Sequence, residues 1–511
     1  MISILWKKCI FAAQNTDVQY YLGVNPCRTM TTRIPRPLRN YGVPLLFLMA
    51  SAVFMMFFSS STSPLYLGEW GDYSIYKYIG LGMLDGKLPY LDLFDNKGVL
   101  LYAINALGQC VPAMGRWGLY LLQTLCMAFS LWMLYRTAAQ IVSPRKAVLS
   151  TLVAFLLLGG LYQGGDHVEE WMLPFLSSCL YLTIRLVRDY TTKNLYLLAL
   201  VGGLSVGCVC LLRPNDAAAL GLGTAIGVLL LTCKQASGGG ILWRSLLVAC
   251  AIVVVGMATV LLPVVLVYAH HDALPYLWNG MVQASAQMNN AWAGQFHSLL
   301  KWGKWAVLLL LVALFVMTHN VDKRLNLCLI PLGLCQLFFI GISLYAHYLI
   351  VLFPLLVLYF AMLWQQRSRQ VLVLAVAILL LSHRPLPRML LLNAAECMRG
   401  IGHLQSSERT EAIQLLKQIP EGASVWNYNL NPYNCELSPL VECRVVQCNR
   451  LVDNNHNEYV AERDFTAMKP QYVLATGDTF EGDTALCGGY TYLAGTQHGR
   501  DIRLYRANTI E

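Results

Sequence analysis

Long apolar segments alternate with short polar loops along most of this chain. A helix needs roughly 20 apolar residues to cross a hydrocarbon core of about 30 Å. Segments of this kind lie near residues 42–60, 117–135, 147–163, 171–187, 194–212, 217–233, 245–268, 304–318, 325–343, 347–365 and 370–382. The pattern predicts an α-helical polytopic membrane protein with about 11 transmembrane helices.

The last apolar segment is the weakest of the series. Residues 370–382 make a run of only 13 residues, followed by Arg384 and Arg388. Basic residues favour the cytoplasmic side of a span, so these arginines oppose the alternation of the preceding loops. If the segment crosses, residues 384–511 lie outside the cell; if it does not, they are cytoplasmic.

The remaining polarity pattern divides the chain into three predicted parts. Residues 1–40 are polar and end in four arginines, which predicts a cytoplasmic N-terminal segment without a cleaved signal peptide. Residues 41–383 carry the spans and an external loop at 61–116. The second half of that loop, 99–113, is apolar but contains two amides, so we expect an interfacial or re-entrant helix.

The C-terminal part, residues 384–511, has the composition of a soluble domain. It contains a helical segment near 405–418 and four strand-like runs, SVWNY, QYVLAT, YTYLA and IRLYR. Turn residues separate these runs. We therefore predict a small α/β domain, placed outside the cytoplasm.

Composition supports a membrane protein and excludes an ordinary soluble domain. The chain is 56% hydrophobic and 13% charged, with a formal net charge of +9. Its basic residues fall mostly in short loops, which indicates membrane topology rather than binding to nucleic acid. Sixteen cysteines lie mainly in apolar segments and include no zinc-type CxxC pair, so most are expected to be packing residues.

Ionisable residues are concentrated at the predicted outer ends of the spans. They form four clusters: Asp72 with Asp92, Asp95 and Lys97; Asp166 with His167, Glu169 and Glu170; Arg213; and His347. Four clusters on one membrane face predict a polar site at the outer mouth of the helical bundle.

Each aspartate of the first cluster allows two interpretations, one structural and one functional. Asp72 could cap an interfacial helix, or act as a general base whose pKa is raised by burial beside Trp70 and Tyr73. Asp92 and Asp95 could line a substrate pocket, or form turns, since aspartate favours turn positions.

The other charged residues also allow a structural reading. Lys97 could pair with a neighbouring carboxylate, and Glu169 and Glu170 suit the first turn of a helix. His347 lies between tyrosines, as an interface anchor would. Arg213 is the strongest functional candidate, because an arginine at this depth needs a partner and suits a phosphate.

The chain resembles the bacterial branch of the GT-C membrane glycosyltransferases in four stretches: DYSIYKYIGLGMLDGKLPYLDLFDNKG, GGDHVEEWMLPF, LLRPNDAA and YAHYLIVLFP. Relatives in that branch include the dolichyl-phosphate-mannose protein mannosyltransferases and the aminoarabinose lipid A transferases, a glycosyltransferase family 39-like group. The resemblance covers about residues 40–365, and its most specific part is G-x-L-P-Y-x-D-x-F-D-x-K-G. Val99 stands where the family usually has proline.

The resemblance implies a GT-C fold and a hexosyl- or pentosyl-transferring enzyme that uses a polyprenyl-phosphate-linked sugar. Asp72 matches the family's general base, and Lys97 and Arg213 match basic positions near the carrier phosphate. Further candidates for the sugar pocket are Asp92, Asp95, Asp166, Glu169, Tyr345 and His347. No cofactor is implied with certainty, and a divalent metal stays open because metal dependence differs among relatives.

The resemblance also implies the partners and the location. They are the lipid-linked donor, a glycan, lipid or protein acceptor, and membrane lipids, with no nucleic acid, at the outer face of an inner or plasma membrane. Two alternatives remain: an O-antigen-type polymerase or ligase that uses diphosphate-linked glycans, and a lipid-linked sugar flippase or transporter. A flippase predicts charges near the bilayer midplane rather than at one face.

Overall fold

The computed structural model describes residues 36–64, 72–159, 161–162, 164–236, 242–283, 315, 322–340, 346–366, 407–430, 437–450, 462–497 and 501–508. Several expectations fall outside the described residues: those for Trp70, Tyr345, residues 1–35, the span at 370–382 and, apart from residue 315, the span near 304–318.

Helices build the membrane part of the chain. They are α1 (Arg36–Phe58), α2 (Asp72–Leu84), α3 (Val99–Gln109), α4 (Trp117–Ala138), α5 (Pro144–Leu158), α6 (Val168–Arg188), α7 (Thr192–Leu212), α8 (Pro214–Ala236), α9 (Leu242–His270), α10 (Leu274–Trp278), α11 (Lys323–Ile340) and α12 (Phe353–Gln366). Shorter turns of 3₁₀-helix occur at Pro112–Met114 and Ala346–Leu352, and a π-helical turn at Asn279–Gln283. The predicted polytopic helical fold is confirmed.

Six segments among the described residues are long and apolar enough to cross a membrane. They are Trp117–Ala138, Thr192–Leu212, Pro214–Lys234, Trp243–His270, Lys323–Ile340 and His347–Gln365. α3 has only 11 residues, too few for a span, as expected for the second half of the external loop. The last crossing segment begins as 3₁₀-helix and continues as α12.

Neighbouring helices pack closely where glycine lets their backbones meet. α7 lies along α9, and a Cβ on Gly203 would stand 2.4 Å from the carbonyl oxygen of Val253. α8 lies along α11, and a Cβ on Gly227 would stand 2.8 Å from the Cα of Cys328. Close packing at small residues is the usual means of helix association in lipid, where apolar burial gives little driving force.

Polar contacts distinguish the two ends of the bundle. At one end, α1 and α7 end while α4, α6 and α8 begin, and we call this the polar end. There the Ser61 amide donates to the carbonyl of Gly164 at 3.1 Å, which joins the segments after α1 and before α6. At the opposite end, Lys146 donates to the carbonyl of Trp364 at 3.2 Å.

A mixed sheet with short helices forms the C-terminal part. Its elements are α13 (Ser407–Leu416), β1 (Val425–Asn427), α14 (Leu437–Cys443), α15 (Glu462–Met468), β2 (Tyr472–Thr476), α16 (Thr479–Gly482), α17 (Thr484–Cys487), β3 (Tyr490–Gly495) and β4 (Ile502–Ala507). The strand order is β1-β2-β4-β3, with β1 and β2 parallel and the other pairs antiparallel. All four predicted strands and the helix near 405–418 are confirmed.

The C-terminal part docks on the polar end through residues 447–450. The backbone amide of Gln447 donates to the Tyr78 hydroxyl of α2 at 2.8 Å, and Lys87 donates to the carbonyl of Gln447 at 2.7 Å. Arg450 donates from Nε to the carbonyl of Tyr90 at 2.9 Å. The loop between α2 and α3 is therefore held between the membrane part and the sheet domain.

Candidate functional site

Two buried tyrosines hold the loop that carries Lys97. The Tyr102 hydroxyl donates to Asp95 Oδ2 at 2.8 Å and accepts from the Lys97 amide at 3.0 Å. The Tyr90 hydroxyl donates to the Lys97 carbonyl. Both tyrosines are fully buried, so the backbone around Lys97 has little freedom.

Gly98 joins this loop to the end of α7. Its amide donates to the carbonyl of Leu212 at 3.1 Å. A Cβ on Gly98 would stand 2.0 Å from the carbonyl oxygen of Leu211, so only glycine fits here. The Lys-Gly pair of the family-like motif thereby places Lys97 next to the segment that carries Arg213.

Asp72 and Lys97 form an ion pair at the start of α2. The distance from Lys97 Nζ to Asp72 Oδ2 is 3.7 Å, and the two side chains are 23% and 40% exposed, respectively. The Tyr76 hydroxyl, one helical turn after Asp72, donates to Asp72 Oδ2 at 3.3 Å. The pair is thus oriented by the protein and still open to a ligand.

Lys97 stays cationic because of its neighbours. Burial works against its ammonium, but the carboxylates of Asp95 and Asp72 outweigh that effect and raise the pKa of Lys97 above its ordinary value. The site therefore holds a fixed positive charge throughout the physiological pH range.

Arg213, between α7 and α8, is held on three sides. Its Nη1 pairs with Glu169 Oε1 at the start of α6, and its Nε lies 3.5 Å from Asp216 Oδ2. The guanidinium carbon lies 4.0 Å from the centre of the Tyr348 ring. Burial opposes the charge, but Tyr348 and the two carboxylates raise the pKa of Arg213 above its ordinary value.

Tyr348 links the two cationic groups. It interacts electrostatically with Arg213 and Glu169 on one side and with Lys97 and Asp72 on the other. Lys97 and Arg213 also interact with each other. The residues predicted from widely separated stretches therefore meet in one region at the polar end.

Two histidines complete this region. The imidazole rings of His167 and His347 stack with their centres 4.0 Å apart and their planes 2° from parallel. One ligand atom from each ring and one carboxylate oxygen of Glu169 all lie within 4.8 Å of one another. Among the described residues, this is the group that could hold a metal ion.

A turn of three residues with positive φ angles precedes His167. Residues 164–166 have positive φ angles of 99°, 80° and 59°. Glu170 Oε2 accepts from the Asp166 amide at 3.0 Å and from Gln123 Nε2 at 2.9 Å. Asp166 Oδ1 in turn accepts from the Trp171 indole at 2.8 Å. In the stretch GGDHVEE, Asp166 and Glu170 therefore support this turn. Glu169 pairs with Arg213 instead.

The structure brings together most of the predicted site residues. Five of them lie together at the polar end: Asp72, Lys97, Glu169, Arg213 and His347. Asp95 interacts electrostatically with Lys97. Asp92 lies elsewhere in the loop.

Asp92 Oδ2 accepts from the Leu88 amide at 2.6 Å, so its carboxylate forms the turn of its own loop. Asp166 supports the turn before α6. The predicted roles of these residues in substrate binding stay predictions.

Sequence reasoning missed five contributors: Tyr76, Tyr102, Gln123, Asp216 and Tyr348. Two had a readable signal, because Tyr76 and Asp216 lie four and three residues after Asp72 and Arg213, respectively, at helical spacing. Gln123 had one as well, since an amide inside a span needs a buried partner. Tyr348 lies in the stretch YAHYLIVLFP, but no role was predicted for it, and nothing in the local sequence marks Tyr102.

Two known structures are similar to this chain. The crystal structure of ArnT from Cupriavidus metallidurans in the apo state has a TM-score of 0.58 and 13% identity, and the match covers 90% of this chain and 97% of that one. Archaeoglobus fulgidus oligosaccharyltransferase AglB, in complex with an inhibitory peptide and a dolichol-phosphate, has a TM-score of 0.46 and 13% identity, over 92% of this chain and 75% of that one. The likeness to ArnT confirms the GT-C fold.

No curated protein matches the chain in sequence. A family model does match it over residues 45–372, which is more than half of the 511 residues and includes every residue of the site described above. This model is described as the competence-induced protein Ccs4 N-terminal domain. The chain therefore belongs to the Ccs4 N-terminal-domain family and has a GT-C fold.

Proposed function

We propose that this protein is a membrane glycosyltransferase that moves a sugar from a polyprenyl-phosphate carrier to a glycan, lipid or protein acceptor at the outer face of the membrane. The observation that carries the proposal is the Asp72–Lys97 ion pair, 3.7 Å long, beside the Arg213 cluster at the polar end. It combines a carboxylate with two fixed cations next to a membrane.

The cations suit the leaving group of the donor. As the bond between the sugar and the phosphate breaks, negative charge develops on the phosphate oxygens. Fixed positive groups that are already in place stabilise such charge without reorganisation. Lys97 supplies a point charge, and Arg213 supplies a planar guanidinium that matches a phosphate.

Asp72 suits the acceptor side of the reaction. Its carboxylate accepts the proton of an acceptor hydroxyl while the hydroxyl oxygen forms a bond to the anomeric carbon. The bond from that carbon to the phosphate oxygen breaks, and its electron pair stays on the polyprenyl phosphate. This direct displacement inverts the anomeric centre.

The distribution of basic residues supports an outward-facing site. The helix ends opposite the polar end carry Arg136, Arg145, Lys146, Arg188 and Lys193. Basic residues favour the cytoplasmic side, so the polar end faces outward. On α9, Leu262 is 53% and Leu266 is 58% exposed near the polar end, which suits a helix that faces lipid and a carrier that arrives from the bilayer.

The proposal predicts that Asp72→Asn abolishes transfer. The test uses the full chain in detergent with a panel of labelled polyprenyl-phosphate sugars and measures release of free polyprenyl phosphate. We expect the rate to fall by about 100-fold or more, because the general base is lost. Asp85→Asn, a change at an exposed aspartate of the same loop, is the matched control and should retain the rate.

Wild-type turnover by Asp72→Asn would contradict the assignment of the base. Turnover of polyprenyl-diphosphate donors alone would favour the polymerase or ligase alternative. Movement of labelled carrier across a vesicle membrane without a new glycosidic bond would favour the flippase.

A further inference from the structure

We propose that His167, Glu169 and His347 form a binding site for one divalent transition-metal ion of the Zn²⁺ type. The three residues come from two elements that are distant in sequence, the start of α6 and the 3₁₀-helix before α12. One ligand atom from each lies within 4.8 Å of the other two, so an ion would draw these atoms closer together as the side chains reorient around it.

The stacked rings bring two imidazole side chains together in one place. Two imidazolium cations face to face, with ring centres 4.0 Å apart, would repel each other strongly. The Arg213 guanidinium adds to this repulsion, because it pairs with Glu169 of the same trio. An imidazole in its neutral form offers a lone pair to a metal.

The local charge also favours a divalent cation. Lys97 and Arg213 are the two cations of the described cluster. Their interacting carboxylates are Asp72, Asp95, Glu169 and Asp216. These carboxylates outnumber the two cations, which favours a further cation in this region.

The ligand chemistry selects the kind of metal. Two imidazole nitrogens and one carboxylate oxygen suit Zn²⁺ and its neighbours in the first transition row, whereas Mg²⁺ and Ca²⁺ prefer oxygen ligands. Glu169 pairs with Arg213 through Oε1, and its carboxylate has a second oxygen that can bind an ion. Three protein ligands leave an open coordination position, as catalytic zinc sites do.

The surrounding structure holds the histidines in place. The turn at 164–166 is anchored by Glu170 and Trp171, so His167 leaves a rigid segment. His347 packs edge-on against Tyr348, with ring centres 4.7 Å apart. The guanidinium of Arg213 stacks on the Tyr348 ring. If the proposed function holds, an ion held by these residues would lie beside Arg213 and would supply a further positive charge near the donor phosphate.

The test measures metal binding alone, so its result does not depend on the proposed function. The purified full chain in detergent is stripped with a chelator and titrated with Zn²⁺ and, separately, with Co²⁺, without donor or acceptor. We expect one ion per chain by elemental analysis and a visible Co²⁺ absorption band from a low-coordinate site. His167→Ala and His347→Ala should each weaken binding by about 100-fold or more.

The double variant His270→Ala with His271→Ala is the matched control, because both histidines are exposed and the pair lies outside the trio. It should bind as the wild type does. Wild-type protein that takes up no ion would overturn the proposal whatever the variants do. Binding that survives both His167→Ala and His347→Ala, or that is lost in the control, would overturn it as well.

Discussion

Arg213 makes three different contacts at once, and each depends on the shape of its side chain. It pairs with Glu169, lies near Asp216 and stacks over Tyr348. A planar guanidinium can do this, whereas an ammonium group is a compact point charge. The residue is therefore positioned by its neighbours before any donor arrives.

Arg213→Lys should retain the positive charge and still lower donor use. We expect kcat/KM for the donor to fall by about 10- to 100-fold, because lysine can neither stack on Tyr348 nor form a two-pronged phosphate contact. Steady-state kinetics with varied donor measure this change. Arg136→Lys is the control, since Arg136 also stacks on aromatic rings but lies at the opposite end of the bundle.

Equal loss in the two lysine variants would indicate a general effect on packing. Unchanged kinetics in Arg213→Lys would contradict the phosphate-binding role of Arg213.

Lys97 leads to a prediction about pH. Its folded-state pKa lies above the ordinary value, so its charge and its contribution to stability are complete below about pH 10 and are lost only at higher pH. The KM for the donor should therefore stay flat between about pH 7 and pH 9. A steep rise of KM within that window, absent from Lys97→Arg, would show that Lys97 loses its proton in the folded protein.

At the scale of elements, the loop between α2 and α3 connects the membrane helices with the sheet domain. Gly98 ties it to α7, and Arg450 of the C-terminal part covers it from the other side. The Arg450 guanidinium carbon lies 5.1 Å from the Phe94 ring and 5.0 Å from the Tyr276 ring. The sheet domain thus supports the loop that presents Lys97.

Gly98→Ala should disturb this connection. A Cβ would meet the Leu211 carbonyl oxygen at 2.0 Å, so the loop must move away from α7. We expect a loss of about 1–3 kcal/mol in stability and a clear loss of transfer. Thermal unfolding in detergent and the transfer assay measure the two effects.

Gly202→Ala in α7 is the control, because nothing lies within 4 Å of its added Cβ. It should leave both measurements unchanged. A fully active, equally stable Gly98→Ala variant would show that the loop tolerates displacement from α7.

Local sequence predicts elements better than it predicts contacts between them. The four strands of the C-terminal sheet were readable because aromatic and β-branched residues fill short runs between turns. Six of the predicted spans match long apolar helices among the described residues, and they were readable because the bilayer demands such helices. The stack of His167 on His347 was not readable, since it depends on how α6 packs against the 3₁₀-helix before α12.

The same limit applies to the three carboxylates of the first cluster. The sequence predicts that all three lie in one external loop, but it does not indicate which carboxylate faces the site. In the structure, Asp72 pairs with Lys97, Asp95 accepts from Tyr102, and Asp92 forms its own turn. Carboxylates of one predicted loop thus acquire different surroundings from the path of the backbone.

At the scale of the whole molecule, a bundle of apolar helices brings charged residues together at one end. Alternating helix direction returns every second loop to the same end, so stretches as distant as those carrying Asp72 and His347 converge there. This convergence was readable from sequence, because basic residues and span order assign each loop to a side. The sheet domain then covers the same end.

The measurement that tests the central claim most directly is an electron cryomicroscopy structure of the full chain with a non-reacting polyprenyl-phosphate sugar. We predict density for the phosphate in contact with Lys97 and Arg213, with the Asp72 carboxylate facing the anomeric carbon of the sugar. Donor density elsewhere on the protein, with Asp72 and Arg213 both outside the pocket that holds it, would contradict the account.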